Sequence, residues 1–281
     1  MTGSSSIETE IHQAMPRLTS AEARVARALL GDYPSLGLAP VAEFASVAHT
    51  SAATVLRFIA QLGYPSYPDF QKQLREELSE RSKSPLDRPH GSAQQASDAF
   101  LPGFFARLHA NLDQTAKRLP QAEFEAVALE IARARAVHLI GGRFTDAIAA
   151  YMTAHLRIVR PGVRKLDDRP AARIDQLLDV GARDAVLIFD MRRYDEELEQ
   201  FARAAQDRRA KVLLITDTWI SPAARHARHV LPCMVDVGAT WDSNTALFAI
   251  AEALVARASE LLWDQAEARV ATKESMQRAR R

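Results

Sequence analysis

Short apolar runs alternate with amphipathic helical patterns in the C-terminal half of this chain, and this alternation constrains its fold most. The apolar runs occupy residues 136–140, 163–166, 184–189, 211–216 and 229–235. Helical patterns lie between them or follow, at residues 144–156, 171–180, 195–209, 221–227 and 242–260. This rhythm predicts a parallel sheet flanked by helices on both faces. Ligands bind beyond the carboxyl ends of the strands in such sheets, so we expect a site in the loops after Ile140, Phe189 and Ile215.

The N-terminal part of the chain shows helical patterns only. Thr19 and Glu22 form a capping box, which marks the start of one helix. Residues 40–62 combine a short helix, a tight turn at 46–50 and a second amphipathic helix that Gly63 ends. This arrangement is typical of a helix-turn-helix. It also fits a plain helical hairpin with a solvated polar face.

The second helix of this pair carries the candidate DNA-binding residues. Val55, Phe58 and Ile59 share one face with Leu62 by their spacing, so we expect that face to be buried. The helix start and the opposite face supply small and polar side chains that suit phosphate oxygens and base edges. We expect DNA contacts from Ser51, Ala53, Thr54, Arg57 and Gln61.

A segment rich in Pro, Ser and charged residues separates the two parts. Residues 81–97 contain two prolines and a glycine and show no apolar periodicity, which suits an exposed connection. A chain of 281 residues also has room for two domains. We therefore predict a DNA-binding domain at 1–80, a linker at 81–97 and an α/β domain at 98–281.

Charge and cysteine content exclude several classes of protein. The chain has 36 Lys and Arg against 35 Asp and Glu, so no global basic field indicates strong non-specific DNA binding. One cysteine, Cys233, allows neither an intrachain disulfide nor a cysteine-cluster metal site. No apolar run approaches the ~18 residues that span a bilayer, and residues 1–10 lack a signal-peptide core. We expect a cytoplasmic protein with no membrane partner, metal or other cofactor.

The helix-turn-helix region resembles the recognition region of the RpiR family of bacterial transcriptional regulators. That family shows a Ser-x-x-Thr-Val-x-Arg-Phe stretch followed by Leu-Gly-aromatic. The matching residues here are Ser51, Thr54, Val55, Arg57, Phe58, Leu62, Gly63 and Tyr64. The family joins this domain to a C-terminal SIS (sugar isomerase) domain, which the strand–helix alternation resembles. The resemblance implies an all-α helix-turn-helix domain and an α/β SIS-like domain with a parallel sheet.

In SIS domains the strand-end loops border a sugar-phosphate site, and this chain keeps part of that pattern. After the first strand, Gly142 and Arg143 precede Thr145, which we interpret as a stand-in for the usual serine. After the fourth strand, Thr216 and Ser221 match the family's threonine and Ser-Pro positions. Gly142 and the preceding Gly141 also fit a simple chain turn.

The loop after the third strand departs from the family. Many SIS domains place a Ser-x-Ser-Gly-x-Thr phosphate cradle there, whereas this chain has Arg192 and Arg193 between acidic residues. Arginine recognises carboxylate or phosphate through a planar fork. The two arginines therefore indicate either an anion site of altered chemistry or surface ion pairs with Asp190, Asp195 or Glu196.

The resemblance implies a DNA-binding transcriptional regulator, and repression is common in that family. We expect a repressor of a catabolic operon that binds a double-stranded DNA operator as a homodimer or tetramer. Its effector would be a small anionic metabolite, either a sugar phosphate or a carboxylate. We predict no catalytic residue, because no Glu/His spacing marks an acid–base pair. The alternatives are a sugar-phosphate isomerase-type enzyme and a regulator whose SIS domain only dimerises.

Overall fold

The computed structural model describes residues 7–82, 85–87, 100–167 and 169–279. The chain forms two compact units: the first ends at Asp87 and also includes residues 218–220, and the second comprises the rest of the chain. The boundaries predicted at 80 and 97 stay predictions, because most of the predicted linker, at 83–84 and 88–97, lies outside the described residues. No helix in the described ranges is both long and apolar enough to span a bilayer.

The first unit is all-helical, as predicted. Its α-helices are α1 (Ile7–Ala14), α2 (Ser20–Gly31), α3 (Ser35–Leu38), α4 (Val41–Val47), α5 (Ala52–Gln61) and α6 (Tyr67–Ser82). The capping box is confirmed, because Glu22 N donates to Thr19 Oγ1 and Thr19 N donates to Glu22 Oε2. The two bonds satisfy amides that the first turn of α2 leaves without helical partners.

Helices α4 and α5 form the predicted helix-turn-helix. Phe44 of α4 and Phe58 of α5 are fully buried in a shared apolar core. Gly63 ends this region with φ +94°, a left-handed conformation that favours glycine. The core therefore fixes α5 by one face and leaves its other face to solvent.

Helix α1 was not predicted, because residues 1–10 were considered only as a segment without a signal-peptide core. Ile7 and Ile11 are buried in the same core as Phe58. Glu77 of α6 accepts hydrogen bonds from Ile7 N at 2.9 Å and Tyr33 Oη at 2.8 Å. The helix is short and carries only two large apolar residues, so packing rather than periodicity defines it.

The second unit contains the predicted parallel sheet. Its strands are β1 (Val137–Gly141), β2 (Val163–Lys165), β3 (Ala185–Asp190), β4 (Lys211–Asp217) and β5 (His229–Cys233). They lie in the order β2-β1-β3-β4-β5, with every pairing parallel. All residues of β3 are buried, as expected for a central strand covered on both faces.

Helices surround this sheet. They are α7 (Phe100–Arg118), α8 (Gln121–Arg133), α9 (Asp146–Val159), α10 (Pro170–Leu177), α11 (Glu196–Asp207), α12 (Thr245–Leu261) and α13 (Trp263–Arg278). The segment predicted as a helix at 221–227 is a 3-10 helix, Pro222–His226. On one face of the sheet, Leu198 and Phe201 of α11 pack with Val186 and Ile188 of β3.

Candidate DNA-binding and effector-binding sites

The exposed face of α5 carries most of the predicted DNA-binding residues. Ala53, Arg57 and Gln61 are exposed, whereas Val55 and Phe58 are buried. The alternation follows from helical periodicity, which places residues three and four apart on one face. The arrangement leaves one cation and one amide available to a groove.

Ser51 begins the helix as its N-cap. Its Oγ accepts a hydrogen bond from Thr54 N at 3.3 Å, and its side chain is exposed. An exposed N-cap lies beside the remaining free amides of the first turn, which favour an anion such as a phosphate oxygen.

Thr54 does not face outward, contrary to the prediction that it contacts DNA. Its side chain is only 5% exposed, because it lies four residues before Phe58 and so shares the core-facing side of α5. Its Oγ1 lies 3.0 Å from Ser51 Oγ and accepts a hydrogen bond from Arg57 Nη2 at 3.3 Å. Thr54 therefore orients two exposed side chains.

Leu56 lies on the exposed face of α5 and was missed by the sequence analysis. Its side chain is 45% exposed and lies between those of Ala53 and Ala60 by helical spacing. Apolar side chains in a recognition helix contact thymine methyl groups. Leu56 could have been found from the sequence, because helical spacing places this apolar residue on the exposed face among the polar candidate DNA-binding residues.

Arg57 also interacts with the neighbouring helix. Hydrogen bonds from Thr19 lower the pKa of the Glu22 carboxyl, and the positive charge of Arg57 lowers it further. The attraction to Glu22 and the bond to Thr54 limit the positions of the Arg57 guanidinium. Such ordering reduces the entropy that the side chain loses on binding.

A second candidate site lies at the carboxyl ends of β1 and β3, where the parallel sheet was expected to bind a ligand. A cavity of about 280 Å³ opens between the two loops that follow these strands. Its lining residues are Gly142, Arg143, Phe144, Thr145, Asp190, Met191, Arg192, Arg193 and Asp195. Five of the seven predicted effector-binding residues are among them, and Thr216 and Ser221 are not.

The turn after β1 requires glycine. A Cβ atom on Gly141 would lie 2.4 Å from the amide nitrogen of Asp146, at the start of α9. Gly142 lines the cavity, and a Cβ there would lie 3.4 Å from Asp190 Oδ1. The glycines therefore serve the turn and also keep the cavity open.

Thr145 lies at the cavity, but its hydroxyl group is engaged within the fold. The side chain is 1% exposed. Its Oγ1 donates to Phe189 O at 2.6 Å and accepts from Gly142 N at 2.9 Å. The hydroxyl thus joins the β1 loop to β3, and its one proton is not directed at a ligand.

Thr216, in β4, and Ser221, at the start of the 3-10 helix, are fully buried. Ser221 N donates to Thr216 Oγ1 at 3.2 Å, and Ser221 Oγ donates to Asp190 Oδ2 at 2.5 Å. Ser221 Oγ also accepts from Ala223 N at 3.2 Å and so caps the 3-10 helix. Both hydroxyl groups support the loops, which is why neither reaches the cavity.

Asp190 is the titratable group at the base of the cavity. Its side chain is 3% exposed. Burial is the main cause that raises the pKa of its carboxyl to about 7. The hydrogen bond from Ser221 opposes this rise, and the nearby charge of Asp217 adds to it. From the sequence, Asp190 was considered only as a partner for arginine, although its place at the end of a buried strand makes it a candidate site residue.

Arg192 is buried and paired, with partners other than those expected. Its Nη2 donates to Asp242 Oδ1 at 2.5 Å and lies 3.4 Å from Asp236 Oδ2. Its backbone N donates to Asp217 Oδ2 at 2.5 Å. The ion pairs therefore involve distant segments, whereas the predicted partners were Asp190, Asp195 or Glu196. They hold the loop after β3 in place.

Arg193 and Arg143 remain at the mouth of the cavity. The Arg143 guanidinium lies 4.8 Å from the Phe144 ring centre, and that of Arg193 lies 5.7 Å from the same ring and 5.4 Å from the Trp241 ring. Both arginines are exposed, and Arg193 has φ +65°, an uncommon conformation for a non-glycine residue. The aromatic rings orient both guanidinium groups by cation–π contact.

Comparisons with known proteins divide the chain in the same way. Residues 5–81 match the helix-turn-helix domain of the rpiR family, and residues 130–257 match the SIS domain. An uncharacterized HTH-type transcriptional regulator of Providencia stuartii is 24% identical over 242 residues, which cover 83% of this chain and 82% of that protein.

Solved structures share the fold at low sequence identity. The sugar isomerase domain of an RpiR transcription factor from Sphaerobacter thermophilus has a TM-score of 0.60 and 22% identity, covering 64% of this chain and 99% of that one. The Vibrio vulnificus NanR protein complexed with ManNAc-6P has a TM-score of 0.55 and 17% identity, covering 96% of this chain and 97% of that one.

The fold and the two matched domains define a transcriptional regulator with a helix-turn-helix domain and a SIS domain. The chain thus combines a helix-turn-helix domain of the rpiR family with a SIS domain. The resemblance stated from residues 51–64 is thereby confirmed, as is the two-domain fold class.

Proposed function

We propose that this regulator is a cytoplasmic repressor of a catabolic operon and that a small anionic metabolite controls it. The metabolite binds at the carboxyl ends of β1 and β3, in the cavity that Arg143 and Arg193 border. The proposal rests mainly on these two exposed arginines at the cavity. The same chain exposes Arg57 and Gln61 on α5.

The proposed DNA contacts follow from the exposed face of α5. Arg57 and Gln61 read base edges, Ser51 contacts a phosphate, and Ala53 with Leu56 forms the apolar part of the contact. A homodimer or a tetramer places two such helices at half-sites one helical turn apart, ~34 Å. The near-equal numbers of acidic and basic residues in the chain favour site-specific over non-specific binding.

Control requires that the effector prefers one arrangement of the protein. A ligand shifts an equilibrium only by the difference between its affinities for the two states. We propose that the effector-bound form has the lower affinity for the operator. The release of DNA then couples the supply of the metabolite to expression of the operon.

Genomic DNA capture with the purified full-length protein, at a stated salt concentration, tests the proposal. We expect enrichment of a palindromic site beside an operon for catabolic enzymes. The substrates and intermediates of those enzymes are then added to the complex, and one of them should release the DNA. Uniform weak capture without a preferred site would contradict the assignment of α5.

The same experiment separates the two alternatives. A regulator whose SIS domain only dimerises would bind the site and respond to no metabolite. An isomerase-type enzyme would convert hexose phosphates, which nuclear magnetic resonance of the mixture detects directly. We propose that no such turnover occurs. The Asp190 carboxyl is engaged by the hydrogen bond from Ser221, and the described residues that line the cavity include no histidine to act with it as an acid–base pair.

A further inference from the structure

We propose that the effector of this site is a hydroxylated carboxylate with a single negative charge, such as a sugar acid, and not a sugar phosphate. The inference rests on the proposed function, because it assumes that the effector occupies the cavity at the ends of β1 and β3. Three features of the described residues lead to it: the engaged hydroxyl groups, the excess of carboxylates and the position of the exposed arginines.

The first feature is the lack of available hydroxyl donors around the cavity's base. Thr145 Oγ1 donates to Phe189 O, and Ser221 Oγ donates to Asp190 Oδ2. Thr216 is fully buried in β4. A phosphate group presents three acceptor oxygens, so it needs several donors that these residues do not provide.

The second feature is the charge around the base of the cavity. Asp190 lines the cavity, and the charge of the buried Asp217 acts on it. Arg192 is already paired with Asp236 and Asp242. Carboxylates therefore outnumber the cations at this end. A phosphate monoester carries nearly two negative charges at neutral pH and would meet like charge in a medium of low dielectric constant. A ligand hydroxyl group meets the Asp190 carboxyl as a hydrogen-bond donor instead.

The third feature is the pair of exposed arginines at the cavity mouth. Neither Arg143 nor Arg193 forms a hydrogen bond or an ion pair within the described part of the chain. Both are held over the Phe144 ring. The planar guanidinium matches a carboxylate through two parallel hydrogen bonds. The ligand therefore lies with its carboxylate at the mouth and its hydroxyl groups toward Asp190.

Matched pairs of sugars that differ only in their anionic group test this inference. We would measure the Tm of the full-length protein with D-glucuronate, D-galacturonate and D-mannuronate, and with the 6-phosphates of the corresponding hexoses. We expect at least one hexuronate to raise the Tm by about 5 °C at a hundred times its Kd, and no 6-phosphate to do so.

Two double variants show whether the cavity is responsible. Arg143→Ala with Arg193→Ala should abolish the shift. The control, Arg133→Ala with Arg203→Ala, removes two exposed arginines that do not line the cavity and should keep the shift. Binding of the captured operator without ligand should be the same for both, which verifies that each variant is folded.

The outcomes separate this inference from the proposed function. A 6-phosphate shift that the cavity variant loses would overturn the carboxylate inference and leave the effector site in place. Shifts from neither series would also overturn it, and a metabolite of another class that releases the operator would then keep the proposed function. A hexuronate shift that survives the cavity variant would place the binding elsewhere and overturn the inference.

Discussion

The exposed face of α5 and the cavity at the ends of β1 and β3 use their polar residues in opposite ways. On α5, Arg57 and Gln61 remain exposed, and only Thr54 turns inward. At the cavity, the hydroxyl groups of Thr145 and Ser221 bond within the fold. An amphipathic helix separates core residues from surface residues by periodicity, whereas a loop between buried strands needs polar side chains for its own backbone.

Removing the exposed Arg57 side chain should have the largest effect, because it tests directly whether the exposed face of α5 binds DNA. Arg57→Ala should lower the affinity for the captured operator by at least about thirtyfold for two half-sites, because each lost contact to a base costs about 1–3 kcal/mol. Fluorescence anisotropy at a fixed salt concentration measures this loss. Arg75→Ala removes an exposed arginine from α6 and is the control. Equal affinities of the Arg57 variant and the wild type would refute the role of α5.

Asp190 should make the stability of the second unit depend on pH. Its pKa is raised from 3.8 to about 7 in the folded protein, so the folded state keeps a proton that the unfolded state loses as the pH rises. The free energy of unfolding should therefore fall between pH 4 and pH 7, by at most about 4 kcal/mol, and level off above.

Urea denaturation of the wild type and of Asp190→Asn across this range measures the effect. The difference between the two should be smallest near pH 4 and should grow in favour of the variant up to pH 7. A difference that does not change with pH would show that the Asp190 carboxyl is already ionised in the folded protein.

Thr145 distinguishes a hydroxyl group that supports the fold from one that contacts the ligand. Thr145→Val should lower the free energy of unfolding by about 0.5–1.5 kcal/mol, because Phe189 O and Gly142 N lose the hydroxyl group as a partner and keep only the hydrogen bond between them, at 3.1 Å. Thr145→Ser keeps the hydroxyl and should restore most of this loss. Unchanged stability of the valine variant, with weaker effector binding, would return Thr145 to the ligand site.

Thr54 should give the smallest effect and sharpen the contrast within α5. Thr54→Val removes the acceptor for Arg57 Nη2 but leaves the guanidinium in place, so we expect only a fewfold loss of operator affinity. The affinity measurement used for Arg57 applies here. A loss as large as that of Arg57→Ala would mean that the Thr54 hydroxyl itself contacts DNA.

Periodicity and strand–helix alternation were sufficient to predict the architecture of both units. The sheet, the capping box at Thr19 and the helix-turn-helix all follow from local patterns. Helix α1 was missed because its two isoleucines are stabilised by residues far along the chain. They pack in a core that α6 shares, and Glu77 of α6 accepts a hydrogen bond from Ile7 N. The start of α12, which the helical pattern predicted at residue 242, was also misplaced. Asn244 begins that helix, and Asp242 pairs with Arg192 instead.

The candidate cavity was predictable in place but not in chemistry. Its position follows from the rule that ligands bind at the carboxyl ends of parallel strands. The partners of each polar side chain depend on residues far along the chain, as the bond from Ser221 to Asp190 illustrates. Sequence spacing does not specify such contacts, so it left open whether Arg192 forms ion pairs within the protein or binds an anionic ligand. The structure shows that Arg192 is buried and paired and that Arg193 is exposed.

The central claim is that α5 binds the operator and that the cavity controls this binding. A reporter gene under the captured operator, in cells grown with and without the substrate of the adjacent operon, tests it without knowledge of the effector. We expect Arg57→Ala to give constant expression, and Arg143→Ala with Arg193→Ala to give a repressor that no longer responds to the substrate. Normal induction in the cavity variant, or normal repression in the Arg57 variant, would contradict the claim.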